Sequence, residues 1–161
     1  MIPVEKVSVL PCFHRATIIP DYLDAMGHMN VRWYMSLYDE AGWKFFDHIG
    51  MTLEYFETEK KGGFALRQML QYYAEVRLGE TVAIHARVLG RSEKKIYFML
   101  FMVNETQHVL ASTFESLGTH ADLELRRSAP FPPHIAANLD ALIAEHSQLD
   151  WDAPVCGAIN V

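Results

Sequence analysis

The sequence predicts an α+β domain in which one long helix lies against a long antiparallel sheet. Two periodicities predict it. Apolar residues recur at three- and four-residue spacing over residues 31–49, and beyond residue 63 the apolar period changes to two. Their order supports the same class, because the helix comes first and a run of strands follows, the layout of a helix packed on one sheet face.

In chain order, the first extended segment spans residues 13–19 and ends at Pro20, followed by a polar turn with Gly27. Val31, Tyr34, Met35, Tyr38, Ala41, Gly42, Phe45, Phe46 and Ile49 then build one continuous apolar face. Asn30 is placed to cap this helix and Gly50 to stop it. Roughly 18 residues give a rod of about 27 Å, enough to cross a small sheet. Residues 52–59 have helical character, and Lys60-Lys61-Gly62-Gly63 breaks the pattern. A strand ending near Val76, one carrying Val82, Ile84, Ala86 and Val88, and others at 96–103 and 109–119 follow, separated by short polar turns. They read as an antiparallel meander. Residues 122–127 extend the last strand, and Ala129-Pro130-Phe131-Pro132-Pro133 stops it. Ile135, Leu139, Leu142, Ile143 and His146 predict a shorter amphipathic helix at about 134–148, and the tail beyond Trp151 carries no clear signal.

The 161 residues fit one domain, 1–161, with its core at about 13–133. A net charge of −6 argues against generic attraction to nucleic acid or to an anionic membrane. An anionic ligand must then be met by a local cluster of bases. Cys12 and Cys156 lack C-x-x-C spacing, which disfavours a disulfide scaffold or a thiolate metal site. The start lacks a signal-type apolar stretch and no run is long enough to span a membrane, so a cytoplasmic protein is expected. A sheet wrapped around one central helix is the hotdog arrangement. Its free sheet face and edge need cover, so a homodimer or a dimer of dimers is expected.

Asp24-Ala25-Met26-Gly27-His28-Met29-Asn30 stands between the first strand and the long helix. Asp24 supplies a carboxylate that can attack an acyl carbon or deprotonate water. Gly27 lets the backbone turn tightly and approach a ligand. The first free N–H groups of the helix, near Val31, can receive an oxyanion, and one such donor is commonly worth about 3 kcal/mol in the transition state. Each residue also has a plainer reading: Asp24 as a turn residue, His28 as a loop-ordering group, Asn30 as a cap.

At these positions the sequence resembles the 4-hydroxybenzoyl-CoA thioesterase family of hotdog enzymes. Asp24, Gly27, His28 and Asn30 match its motif of Asp, two residues and Gly continued as His-x-Asn. The resemblance covers about residues 15–133 in element order. It implies that Asp24 is the catalytic carboxylate and that the Val31 N–H polarises the thioester carbonyl of an acyl-CoA substrate. Gly27-His28-Met29-Asn30-Val31, Tyr73-Ala74-Glu75-Val76-Arg77-Leu78-Gly79 and Arg126-Arg127-Ser128-Ala129-Pro130-Phe131-Pro132 are similar to the betainyl-CoA thioesterases of carnitine degradation. Leu23-Asp24-Ala25-Met26-Gly27 is nearer to the general family pattern. The resemblance therefore points to a short, polar acyl group.

Two basic groups are candidates for the coenzyme A phosphates: Arg91 with Lys94 and Lys95 in a turn, and Arg126 with Arg127 after the last strand. Trp33, Tyr34, Tyr38 and Trp43 are helix packing by default. Trp33 and Tyr34 are also the best placed to face a quaternary ammonium acyl group, through a cation–π attraction of about 0.5–2 kcal/mol. The eight histidines include no H-x-x-x-H pair, so neither a metal nor a cofactor is expected. No G-x-S-x-G elbow supports a serine hydrolase. Two other functions remain open: a hydratase or dehydratase, whose Asp-x4-His spacing Asp24 and His28 miss by one residue, and a non-catalytic acyl-CoA-binding module.

Overall fold

The computed structural model describes residues 2–161 and has the expected α+β class. The elements are α1 (Val4–Val7), β1 (Cys12–Thr17), a 3-10 turn (Pro20–Tyr22), α2 (Val31–His48) and α3 (Leu53–Glu59). They continue with β2 (Lys61–Tyr72), β3 (Thr81–Arg91), β4 (Lys95–Asn104), β5 (Val109–Asp122), β6 (Arg127–Ser128) and α4 (Pro133–His146). This order and the antiparallel sheet are those of the hotdog fold.

Helix α2 stops where the sequence places its stop. Gly50 adopts φ +96°, its N–H donates to Asp47 O, and the Met51 N–H reaches back to Phe46 O at 2.8 Å. That pair of bonds closes the helix end. Helix α3 begins with the Thr52 Oγ1 accepting the Tyr55 N–H at 3.0 Å and ends at left-handed Lys60. The expected break therefore lies at Lys60 alone, because Lys61, Gly62 and Gly63 already belong to β2.

The sheet order is β1-β3-β4-β5-β2, with β6 beside β5. Strands β3, β4 and β5 form the expected meander, but β2 pairs with β5 rather than β3. The connection explains this correction. Tyr73 and Ala74 N–H groups both donate to Ala111 O on β5, while Gly79 N–H donates to Ile18 O and Ile18 N–H to Glu80 O. Residues 73–80 thus carry the chain from β5 to the far side of the sheet, which a two-residue hairpin cannot do, and β2 ends at Tyr72 rather than near Val76. At the other end, residues 123–126 turn instead of extending β5. Asp122 Oδ1 accepts the Glu124 and Leu125 N–H groups, Arg126 takes φ +52°, and β6 returns antiparallel on β5.

The chain divides into two compact units. The first gathers the chain before Phe45 with Leu70–Ala86 and Leu100–Phe114. Its core includes Tyr34, Leu37, Tyr38 and Ala41 of α2. Tyr38 stacks on Phe114 at 5.2 Å and shares a 2.7 Å hydrogen bond with the Ser112 hydroxyl. Burial pushes the Tyr38 hydroxyl far above its ordinary pKa.

The second unit gathers Phe45–Met69, Arg87–Met99 and Glu115–Val161. Phe45 packs on Phe98 at 5.1 Å, and Ile135 and Leu139 of α4 are fully buried. The tail lacked a sequence signal because polar contacts hold it. Arg87 lies 4.5 Å from the Trp151 ring centre and donates to the Trp151 and His146 carbonyls, while buried Glu115 accepts the Cys156 N–H at 2.8 Å.

Strand β2, at one end of the sheet order, is exposed over most of its length, including Phe64, Leu66, Met69 and Tyr72. Among the described residues no helix is long and apolar enough to cross a membrane.

Candidate active site

The loop of residues 23–30 is a small antiparallel hairpin, with Leu23 opposite Met29. Asp24 N–H donates to His28 O at 3.0 Å and Gly27 N–H to Asp24 O at 3.1 Å. Closing so tight a turn requires the φ of +85° at Gly27, a conformation that a side chain would strain. Asp24 Oδ1 accepts the Met26 N–H at 2.8 Å, a side-chain turn that orients the carboxylate. Met29 N–H donates to Val76 O at 2.7 Å and Asn30 N–H to Tyr22 O at 2.9 Å, so the loop is tied on both sides.

Asn30 then starts α2. Its Oδ1 accepts the Arg32 N–H at 3.1 Å and its carbonyl the Trp33 N–H at 2.9 Å. The Val31 N–H has no intrahelical partner and no acceptor among the described residues. The loop thus presents an oriented carboxylate, an imidazole and a free amide at the positive end of an 18-residue helix.

His28 sits between two carboxylates. Its Nε2 is 3.5 Å from Asp24 Oδ2 and its Nδ1 is 3.6 Å from Glu75 Oε2. The other Glu75 oxygen accepts from Arg77 Nε at 2.8 Å and also from an Arg77 terminal nitrogen. The Arg77 backbone is anchored in turn, since its N–H donates to Glu80 Oε2 at 2.8 Å. Asn104 and Gln107 donate to the same carboxylate at 2.7 and 2.6 Å. Burial pushes the Glu80 carboxyl up, but these bonds outweigh it and hold its pKa below the ordinary value. Glu75 and Arg77 entered the sequence reading only through the resemblance, and Glu80 lies in one of the short polar turns placed between the strands. Their roles arise from the pairing of His28 with Arg77 across the chain, which no local pattern signals.

The remaining expected residues fall apart into separate settings. Trp33 stacks on Tyr22 at 4.1 Å, lies 5.4 Å from the Arg32 guanidinium, and buries an indole N–H that lacks a partner among the described residues. Tyr34 is a core residue, 3% exposed, set edge-on to Tyr72 at 5.0 Å, and burial pushes its pKa up to about 12. Arg126 and Arg127 are exposed in the second unit, with Arg126 5.2 Å from the Phe64 ring centre. Arg91 is tied bidentately to Asp140 at 2.7 and 2.6 Å. Lys94 and Lys95 line a groove of about 360 Å³ together with Leu66, Thr119 and Ser128.

The second unit also holds a cleft of about 520 Å³ that the sequence did not signal, lined by Tyr55, His120, His134, Glu54, Thr58 and Lys61 among others. His120 Nδ1 is 2.9 Å from Ala129 O, which can only accept, so Nδ1 carries the proton. Nε2 then accepts the Tyr55 O–H at 2.7 Å. Burial pushes Tyr55 up to about 12 and His120 down. Among the described residues no three His, Cys, Asp or Glu side chains converge as a metal site.

Comparison with known proteins bears on the family and on the fold. The thioesterase-like superfamily profile matches residues 19–139. A betainyl-CoA thioesterase of Pseudomonas aeruginosa is 26% identical over 138 residues, 84% of this chain and 86% of that protein. An L-carnitine dehydrogenase/betainyl-CoA thioesterase of Agrobacterium fabrum is 26% identical over 132 residues, 82% of this chain but only 27% of that longer protein. A Staphylococcus aureus protein solved in complex with CoA superposes with a TM-score of 0.83, at 21% identity, over 94% of this chain and 96% of its own. That likeness establishes the fold.

Proposed function

This chain belongs to the thioesterase-like superfamily, and from that premise we propose that it is an acyl-CoA thioesterase with Asp24 as its catalytic carboxylate. The observation that carries the reading is local. One oxygen of Asp24 is fixed by the Met26 amide and the other stays open beside His28, in the loop that leads directly to the free Val31 N–H.

In this reading the thioester carbonyl oxygen accepts the Val31 N–H, where the helix end favours the negative charge of the tetrahedral intermediate. Asp24 either attacks the acyl carbon or takes a proton from the attacking water. Asn30 shapes the oxyanion site by capping the helix, and Gly27 leaves the loop face open to substrate. The acyl group is short and polar, with betainyl the leading candidate, supported by the relative named for that activity. Trp33 is the aromatic residue nearest the donor in sequence, and Arg126 and Arg127 are the bases proposed for the phosphates. The working assembly is a homodimer or a dimer of dimers.

Free-thiol release from a panel of acyl-CoAs tests this. Hydrolysis of betainyl-CoA at roughly ten times the kcat/KM of neutral 3,3-dimethylbutanoyl-CoA would support recognition of the cation. Equal values, or a preference for long chains, would remove the betainyl reading. Hydration of an enoyl-CoA without thiol release would replace the thioesterase reading altogether.

A further inference from the structure

We propose that Glu75 is a positioning residue for the reaction, holding the His28 imidazole so that Nε2 faces Asp24. The inference rests on the assignment of Asp24 as the catalytic carboxylate, and it goes beyond the loop motif to a residue about fifty positions away in sequence.

His28 and Arg77 are bridged through their backbones, which brings the 75–77 segment alongside the loop. Residues 75 and 77 alternate with buried Val76 and reach toward each other on the exposed side. Arg77 occupies Glu75 Oε1, so the side chain is braced and Oε2 is the oxygen turned to His28 Nδ1, 3.6 Å away. Glu75 Oε2 lies 3.6 Å from Nδ1 and Asp24 Oδ2 3.5 Å from Nε2, so the ring is oriented with one nitrogen toward each carboxylate. Glu75 thereby fixes Nε2 as the ring atom that faces Asp24 and the reacting groups. The same logic of an orienting carboxylate behind an imidazole operates in other hydrolases on unrelated folds.

The plainer account makes Glu75 a surface partner of Arg77, and an exposed pair of that kind is worth about 0–1 kcal/mol. Two features favour positioning. The loop does not need the Glu75 side chain to stay in place, because the Met29 N–H to Val76 O bond ties it through the backbone. Glu75 also meets His28 with the oxygen that Arg77 Nε leaves free.

Kinetics and histidine NMR on the full-length protein decide between the two. Glu75→Ala should lower kcat about tenfold while KM stays within about twofold and Tm within about 2 °C. Glu75→Gln, which keeps an oxygen acceptor, should recover part of the loss. In a His28→Ala background, Glu75→Ala should cost nothing more. Arg77→Ala, which removes the brace but leaves Oε2 beside His28, should lower kcat less than Glu75→Ala does. The ¹⁵N shift of His28 Nδ1, the nitrogen that faces Glu75, should move more in Glu75→Ala than that of Nε2. An unchanged kcat in Glu75→Ala, an equal loss with His28 absent, an Arg77→Ala loss as large as that of Glu75→Ala, or unaltered His28 ring shifts would each overturn the proposal. If the wild-type protein released thiol from no acyl-CoA, the functional reading itself would fall, and the NMR arm would still test the Glu75–His28 relationship.

Discussion

Asp24 Oδ1 accepts the Met26 N–H at 2.8 Å, which leaves Oδ2, 3.5 Å from His28 Nε2, as the carboxylate oxygen open to chemistry. Asp24→Asn keeps an oxygen for Met26 but replaces Oδ2 with an NH2 that is neither base nor nucleophile. We expect kcat to fall at least about a hundredfold with Tm within about 2 °C of wild type. Thioester hydrolysis at the wild-type rate would sink the assignment.

In the proposed reading the cap at Asn30 joins stability to catalysis. Asn30→Ala removes the acceptor for Arg32 N–H and should cost about 1 kcal/mol, a fall in Tm of roughly 2–4 °C for a chain of this size. It should also lower kcat, because the same helix end presents the Val31 N–H. Asn30→Ser restores a capping oxygen and should recover most of the Tm. Calorimetry beside steady-state kinetics checks both, and a Tm unmoved by the alanine change would deny the cap its role.

Glu80 gives acid stability a definite sign. Its folded pKa is lowered, because the Arg77, Gln107 and Asn104 donors outweigh the upward push of burial. The folded state therefore binds this proton less readily than the unfolded chain. The stabilisation is complete above the ordinary glutamate pKa of about 4.3 and is lost as pH falls through the lower folded value. Glu80→Gln turns an acceptor oxygen into an NH2 facing donors and should cost about 1–3 kcal/mol at pH 7. Its urea midpoint should change less than that of wild type between pH 5 and pH 3. Parallel acid slopes in the two proteins would contradict this account.

Strand β2 carries Phe64, Leu66, Met69 and Tyr72 exposed at one end of the sheet order. A long apolar edge strand invites pairing with a second copy. Light scattering at micromolar concentration should give a dimer or a multiple of it, and Leu66→Lys with Met69→Lys should shift it toward monomer. A fully active wild-type monomer would rule out the predicted assembly.

Local chemistry made much of this protein legible from its sequence. Helix α2 was readable because most of its apolar stripe, its Asn30 cap and its Gly50 stop act within a few residues of one another, although Val31 and Met35 of that stripe are exposed and Leu37 outside it is buried. The candidate loop was readable for the same reason, since Asp24, Gly27, His28 and Asn30 are contiguous and their turn is closed by their own backbone. Strand existence could be read from period two, but strand partners could not. An alternating pattern names no partner, and β3, β4 and β5 are in fact buried almost continuously, so β2 beside β3 and β2 beside β5 fit the sequence equally, and the Tyr73 and Ala74 bonds to Ala111 decide between them. Long-range pairing also placed Glu75 on His28, gathered Asn104 and Gln107 onto Glu80, buried the Tyr55–His120 pair and neutralised Arg91 with Asp140. The sequence by itself determined which residues could turn, cap and attack. Only the tertiary structure decided which distant charges meet them, because a side chain's partner depends on the packing of segments far apart in the chain.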